Sequence, residues 1–305
     1  MLDWSPAGDR LWLVTREQGT SCVQPVSADP LPLLDALGVR LSDILSADRV
    51  LVVEGASDED ILQVWFPEVL RNPRAAVLRG HGGDNARHAD QLAEWLAGTD
   101  RAGLRRVLYL RDRDELAPEM LARLTQSPSV YVLQRREIEN YLLDPGAITE
   151  VLRPLVQPDT PAPDTSAIAA AMNSAAENLR QKIVINRVAR RVAPARLLMD
   201  TKLRKQLADD RVDVAQFTRA VLDRLVAPAD LTAQITAAWE EAETDVASHT
   251  GAALQVIATG EEILDALFQQ YLGRHFDKRS DGMAIASAMK PPDELAERLK
   301  AFMAP

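Results

Sequence analysis

Three pairs of acidic residues stand out because each pair follows an apolar, strand-like segment. They are Glu54 and Asp58 after RVLVV, Asp112 and Asp114 after RVLYLR, and Glu137 and Glu139 after SVYVLQRR. Acids two residues apart share one face of an extended chain. Glu54 and Asp58 are four residues apart, so a helix that opens after Gly55 can direct both into one cleft. The spacing predicts that six carboxylates converge from three segments.

The chemistry that such a cluster favours is metal-assisted hydrolysis. Six carboxylates in one place repel each other unless some are protonated or bind cations. Oxygen ligands without histidine or cysteine favour Mg²⁺ or Mn²⁺ over Zn²⁺. Two such ions about 4 Å apart are the usual machinery of phosphodiester hydrolysis: one activates water and the other stabilises the leaving oxygen. A single strand-end acid would be weak evidence, because such acids also cap helices.

The elements that must position these acids alternate between strand and helix patterns. The predicted strands cover residues 49–55, 75–83, 105–115 and part of 129–143, and the predicted helices cover residues 58–70, 88–96 and 118–125. This alternation predicts an α/β fold in which helices cover both faces of a parallel sheet. In such sheets ligands bind beyond the carboxyl ends of the strands, which is where the acids lie.

The rest of the chain has a different pattern on each side of this region. The opening residues indicate short strands at 10–17 and 21–26 and a helix at 31–38. Beyond Pro145 the pattern indicates helices alone, with the prolines of residues 154–163 as a candidate linker. We therefore expect an edge region at residues 1–45, a catalytic α/β domain at 46–148 and an all-helical domain at 149–305.

Composition narrows the cellular setting. Cys22 is the single cysteine, so no intramolecular disulfide can form. The chain shows neither a signal-peptide pattern nor an apolar run long enough to cross a bilayer, so a cytoplasmic location without membrane partners is expected. The net charge of −10 argues against indiscriminate attraction to nucleic acid.

One stretch of this acidic chain is locally basic. Residues 180–205 carry nine basic side chains against one acid, Asp200. The stretch is either a solvated helical face or a contact surface for a phosphate backbone. On the second interpretation, the predicted DNA contacts are Arg187, Arg190, Arg191, Lys202 and Lys205.

Taken together, these residues resemble the TOPRIM domain in the form found at the C-terminal end of the OLD-family (overcoming lysogenization defect) ATP-dependent endonucleases. The resemblance rests on VVEGASD, on the glycine pair of residues 82–83, on YLRDRDE and on EIENYLL. It implies a DNA nickase or nuclease that uses two Mg²⁺ or Mn²⁺ ions.

The resemblance also assigns the site. The family's glutamate, following acid, D-x-D motif and later acidic motif correspond to Glu54, Asp58, Asp112 with Asp114, and Glu137 with Glu139. For the mechanism, we expect Glu54, Asp58 and Asp112 to hold one ion. Asp112 or Asp114, with Glu139, would hold the other.

Two features depart from the family. The family has a lysine after a glycine in its helical tail, where this chain has Gly260 followed by Glu261. Lys202, Lys205 and Lys278 are the candidate replacements. The family also begins with an ABC-type ATPase, whereas this chain has no G-x-x-x-x-G-K-[ST] loop and so no ATP site of that kind. We expect the chain to be part of a longer protein with an upstream ATPase domain, with DNA and a second copy of the chain as further partners.

Two other functions remain open from the sequence. An aspartyl-phosphate enzyme around Asp112 would leave Glu54 and Asp58 without a role, and Arg113 and Glu115 crowd the motif it needs. A catalytically weak TOPRIM module for dimerisation or regulation is favoured by Glu261. The histidines lack metal-ligand spacing, and no Ser-His-Asp or Cys-His arrangement is recognisable.

Overall fold

The computed structural model describes residues 12–17, 20–25, 47–80, 105–157, 163–192, 207–222 and 231–304, with positions 89, 92–94 and 96. The glycine pair at 82–83, Lys202 and Lys205 lie outside the described residues, as do the predicted helix at 31–38 and residues 158–162 of the candidate linker. Of the predicted helix at 88–96, the described positions are helical.

A four-stranded parallel sheet forms the centre of the α/β part. Its strands are β3 (Arg49–Val53), β4 (Ala75–Arg79), β5 (Arg106–Arg111) and β6 (Val130–Val132), in the order β4-β3-β5-β6. All three pairings are parallel. Strands β1 (Trp12–Glu17) and β2 (Thr20–Pro25) form a separate antiparallel hairpin, as their sequence predicts. The predicted α/β architecture is therefore confirmed.

Both faces of the sheet are buried, which explains the continuous apolar run of β3. Leu51 and Val53 face one apolar cluster, and Val50 and Val52 face another. This is the alternation of a pleated strand, with helices on each side. The first cluster receives α1 (Ala56–Trp65), and the second receives α3 (Pro118–Leu124) through Leu124.

Several predicted boundaries differ from the structure. Strands β3 and β5 end at Val53 and Arg111, before the predicted ends at 55 and 115. The single helix expected at residues 58–70 is divided into α1 and α2 (Pro67–Leu70), because proline begins a new helix at position 67. The fourth strand is also shorter than predicted. It ends at Val132, and Glu137 and Glu139 lie after it, at the start of a 3-10 helix (Ile138–Leu142), rather than at a strand end.

The described part of the chain beyond Pro145 is helical, as predicted. Its helices are α4 (Pro145–Leu152), α5 (Thr165–Asn178), α6 (Arg180–Arg191), α7 (Val214–Leu222), α8 (Leu231–Ser248), α9 (Ala252–Ile257), α10 (Gly260–Leu272), α11 (Ser280–Ser287) and α12 (Asp293–Met303). Their apolar faces join the cluster on one face of the sheet, so Leu51 of β3 and Phe302 of α12 belong to the same core. Within the described ranges, no helix combines the length and apolar character needed to cross a membrane.

The last helix is fixed to the sheet at both of its ends. Glu294 accepts hydrogen bonds from the hydroxyls of Tyr131 (2.8 Å) and Tyr141 (2.6 Å). At the other end, buried Arg49 donates to the carbonyl oxygens of Phe302 (2.8 Å) and Ala304 (2.5 Å), where a helix has unsatisfied acceptors. These contacts hold the segment around Tyr141, and with it the acids Glu137 and Glu139, against the sheet.

Candidate active site

The first two acids lie where β3 meets α1. The strand ends at Val53, Glu54 follows, and Gly55 is the N-cap of α1. The Asp58 Oδ2 atom accepts a hydrogen bond from the Gly55 amide (3.0 Å), so Asp58 caps the helix while it lies in the acidic cluster. Its structural role and its place in the candidate site therefore coexist.

Glu54 is tied to the neighbouring strand. Its Oε1 atom accepts hydrogen bonds from the Tyr109 hydroxyl (2.8 Å) and from the Asp112 amide (3.2 Å). Sequence reasoning missed Tyr109, because nothing distinguishes it from an ordinary core residue of β5. Burial raises the pKa of Glu54, and the Tyr109 hydrogen bond only partly offsets that effect.

The D-x-D pair does not share one face of an extended chain as the spacing predicts. Strand β5 ends at Arg111, and Asp114 has a φ of 45°, in the left-handed region. Asp112 is coupled electrostatically to the other acids. Asp114 contributes to the raised pKa of Glu54 and also accepts a hydrogen bond from Arg190 on α6 (2.8 Å).

The later acids are positioned by a close approach between two helices. A Cβ added to Gly260 would lie 2.6 Å from the backbone nitrogen of Asn140 and 2.8 Å from the carbonyl carbon of Glu139. Only glycine allows α10 to begin so close to the 3-10 helix. There the amide of Glu261 donates to Glu137 Oε1 (2.9 Å). The Asn140 amide group donates to the carbonyls of Gln255 and Ala258, which fixes the same junction.

The structure brings one of the candidate lysines to this junction. Lys278 Nζ lies 3.1 Å from Glu139 Oε1 and 2.8 Å from Glu261 Oε2. Glu139 is only 2% exposed, and its Oε1 atom has no other polar partner of good geometry. Burial lowers the pKa of Lys278, but the carboxylates of Glu139 and Glu261 outweigh that effect and raise it above its usual value. The lysine is therefore held as a cation beside the acids.

Burial and repulsion between neighbouring acids raise the pKa values of several carboxyl groups in the cluster. Loss of surrounding water, followed by repulsion from Glu54 and Asp58, raises the pKa of Asp112 well above its usual range. Burial and Glu139 raise the pKa of Asp58 to about 7. Burial and Glu139 likewise raise the pKa of Glu137 to about 7, although Arg136 opposes the shift. A cation would relieve this repulsion.

Within the described residues, five of the six acids have a protein partner. In the part of the chain that the structure describes, no three side chains among His, Cys, Asp and Glu are arranged so that they could hold a metal ion as they stand. The reason is visible in the contacts above: Glu54, Asp58 and Glu137 accept hydrogen bonds from the protein, and Asp114 and Glu139 are ion-paired. Binding a cation would require side chains to turn from these partners.

The predicted DNA contacts of α6 are also paired with acids. Arg187 lies beside buried Glu115 (3.1 Å) and also pairs with Asp245. Arg190 pairs with Asp114, and Arg191 pairs with Glu241 (2.5 Å). The helix thus lies along the edge of the acidic cluster, with Arg190 at the point of contact.

A scan against models of protein families finds no match for this chain, and a search of curated proteins finds none either. The candidate site therefore rests on its own geometry.

Proposed function

We propose that this chain is a metal-dependent DNA endonuclease or nickase with a TOPRIM-type site, related to the OLD-family nucleases. The observation that carries the proposal is the coupled group formed by Glu54, Asp58 and Asp112 with Glu137 and Glu139. These acids come from the ends of two adjacent strands and from the 3-10 helix. Parallel sheets bind ligands at this edge.

The donors fit Mg²⁺ or Mn²⁺. They are carboxylate oxygens, which hard divalent cations prefer, and burial followed by repulsion from neighbouring acids raises the pKa values of Glu54, Asp58 and Asp112. We assign Glu54, Asp58 and Asp112 to one ion, and Asp112 or Asp114 with Glu139 to the second. A bound pair of ions would supply an activated water and stabilise the leaving oxygen of a phosphodiester. Glu137, held by the Glu261 amide, would orient the segment that carries Glu139.

We assign Lys278 as the basic residue that would contact a phosphate in the site. Its ammonium group is fixed between Glu139 and Glu261, and its side chain remains partly exposed. A phosphate that entered the cluster could accept a hydrogen bond from this group and share its charge. The lysine thus comes from the segment before α11 rather than from the position after Gly260.

The test is nicking of supercoiled plasmid by the purified chain with Mg²⁺, Mn²⁺, Ca²⁺ or EDTA. Asp112→Ala and Glu54→Ala should abolish nicking, while Glu68→Ala, which changes an exposed acid of α2, should retain it. Cleavage that survives EDTA or both site variants would contradict the proposal. An upstream ATPase domain and a second copy of the chain are part of the proposal, so the assay should include any longer form of the protein.

A second candidate is a catalytically weak TOPRIM module for dimerisation or regulation. One observation favours it: five of the six acids already have protein partners, and the described side chains do not form a metal cage as they stand. Calorimetric titration with Mn²⁺ separates the two functions. Saturable binding that Asp112→Asn removes supports the nuclease, and no binding by the folded chain supports the regulatory module.

A further inference from the structure

Helix α6 reaches the acidic site through a partly buried ion pair. Arg190 Nη2 donates to Asp114 Oδ2 over 2.8 Å. Asp114 occupies the left-handed region, with φ of 45°, and its amide donates to the carbonyl of Arg136 (2.8 Å). The turn therefore places the second acid of the D-x-D motif in contact with α6.

The neighbouring ion pairs show which part of this arrangement is fixed. Glu115 is buried and accepts hydrogen bonds from Arg136 and Arg187, so the turn is anchored from its other side. Breaking a buried pair leaves an uncompensated charge, which is strongly unfavourable. The Arg190 and Asp114 side chains are 22% and 32% exposed, so water reaches this pair and weakens it more than the pairs made by Glu115, whose side chain is 3% exposed. The Arg190 contact can exchange while the anchor stays in place.

We propose that Arg190 is a latch on Asp114 that the DNA backbone opens. In the free protein the arginine occupies the carboxylate and keeps it from a cation. A backbone phosphate competes for the guanidinium group, which binds phosphate and carboxylate in the same bidentate manner. Asp114 is then free to serve as a cation ligand. This inference rests on the proposed function and adds a means of coupling cation binding to substrate.

The latch has a thermodynamic consequence. The cation that Asp114 would help to hold and the DNA each require the Arg190–Asp114 pair to be open, so each should strengthen the binding of the other by the same factor. Removing Arg190 should increase the affinity for cations in the absence of DNA and reduce this mutual strengthening.

The experiment compares Arg190→Gln with Arg191→Gln. The control removes the same charge from the next residue, whose partner Glu241 lies on α8. Mn²⁺ binding without DNA, followed by the electron paramagnetic resonance signal of free Mn²⁺, should be about two- to fivefold tighter in Arg190→Gln, the range expected for an ion pair that water reaches. Arg191→Gln should match the wild type. Arg190→Met, which keeps the aliphatic stem, replaces the glutamine variant if that variant does not fold.

A second measurement tests the coupling directly. The affinity for a short fluorescent duplex is determined by anisotropy in Ca²⁺ and in EDTA. The ratio of the two affinities should fall in Arg190→Gln by about the same two- to fivefold, while Arg191→Gln changes both affinities equally and leaves the ratio intact.

The outcomes separate the latch from the proposed function. If the wild type binds Mn²⁺ and Arg190→Gln binds it no more tightly, the latch is wrong and the nuclease proposal stands. If none of the folded proteins binds Mn²⁺, the proposed function is wrong and the latch with it. Tighter Mn²⁺ binding by Arg190→Gln, together with a smaller ratio of its DNA affinities in Ca²⁺ and in EDTA, supports the latch.

Discussion

At the scale of single residues, the candidate site is a balance between carboxylates and basic side chains: Arg136 lies beside Glu137, Arg190 beside Asp114 and Lys278 beside Glu139. Lys278 lies between Glu139 and Glu261, and no other described lysine forms an ion pair with the acids of the cluster. The charge that a phosphate would meet there depends on this side chain. Predictions at this scale concern single charges.

Replacing Lys278 with methionine should lower the rate of plasmid nicking by about 10²- to 10³-fold, the usual effect of removing one preorganised group that stabilises developing charge. Lys290→Met changes an exposed lysine and serves as the matched control. Nicking rates are measured under single-turnover conditions. Equal rates in the two variants would show that Lys278 plays no part in the chemistry.

Exchanging the charges of Lys278 and Glu261 tests whether the ammonium group must come from position 278 or can come from position 261. Lys278→Glu alone should be inactive, because it adds an acid to a repulsive cluster. The double variant Glu261→Lys/Lys278→Glu restores the pair with its charges exchanged, and it places the lysine directly after Gly260. It should recover part of the lost activity. A double variant as inactive as Lys278→Glu would mean that the ammonium group must come from the segment before α11.

Asp112→Asn should stabilise the metal-free protein. The substitution removes one charge from a cluster in which the pKa of Asp112 is already raised well above its usual range by burial and by neighbouring acids. In EDTA at pH 8, urea unfolding should show a gain of about 1 kcal/mol or more, since each pKa unit corresponds to about 1.4 kcal/mol. Glu68→Gln should change the stability by less than about 0.5 kcal/mol. A loss of stability in Asp112→Asn would mean that its carboxylate holds the fold together.

At the scale of elements, the acids depend on how closely two helices approach. Gly260 places the start of α10 against the backbone of Glu139 and Asn140, and a Cβ there would lie 2.6 Å from the Asn140 nitrogen. Gly260→Ala should therefore destabilise the protein by about 1–3 kcal/mol, because backbone atoms must move apart. Thermal and urea unfolding measure the change.

Gly282 provides the control. It lies within α11, and an added Cβ would be 3.5 Å from the nearest atom of Ile61, an ordinary contact. Gly282→Ala should be neutral or should stabilise by up to about 1 kcal/mol, because alanine favours the helix. If the two substitutions have equal effects, the close approach at Gly260 does not determine the position of Glu139.

Element patterns also decide how much of the site was predictable. Strands β3 and β5 are buried on both faces, so their apolar runs and the acids that follow them are visible in the sequence. The 3-10 helix is different, because alternation in REIEN resembles a strand. Its conformation is set by Asn140, whose side chain bonds the carbonyls of Gln255 and Ala258 more than a hundred residues away. Lys278 is likewise distant in sequence from Glu139, so local spacing could name it only as one candidate of three.

At the scale of the whole molecule, the sheet and the later helices share one apolar core, so proton and cation binding at the acids should be linked to global stability. Asp58 and Glu137 have pKa values of about 7 in the folded state, above those of the unfolded chain. The folded state therefore binds more protons than the unfolded state between about pH 4 and pH 7. Stability is greatest below this window and is lost as the pH rises through it.

We therefore expect the metal-free protein to unfold at lower urea concentration at pH 8 than at pH 5.5. Acids whose pKa is lowered in the folded state, such as Asp277, change the stability only below about pH 4. They therefore do not mask the fall of the urea midpoint between pH 5.5 and pH 8. Mg²⁺ binds the ionised carboxylates, so it should raise the urea midpoint at pH 8 by more than at pH 5.5 and reverse the slope. Asp58→Asn should flatten both curves. If the urea midpoint of the metal-free protein rose with pH, the pKa values of these carboxylates would not be raised in the folded state. If Mg²⁺ raised the midpoint equally at both pH values, the ion would bind elsewhere.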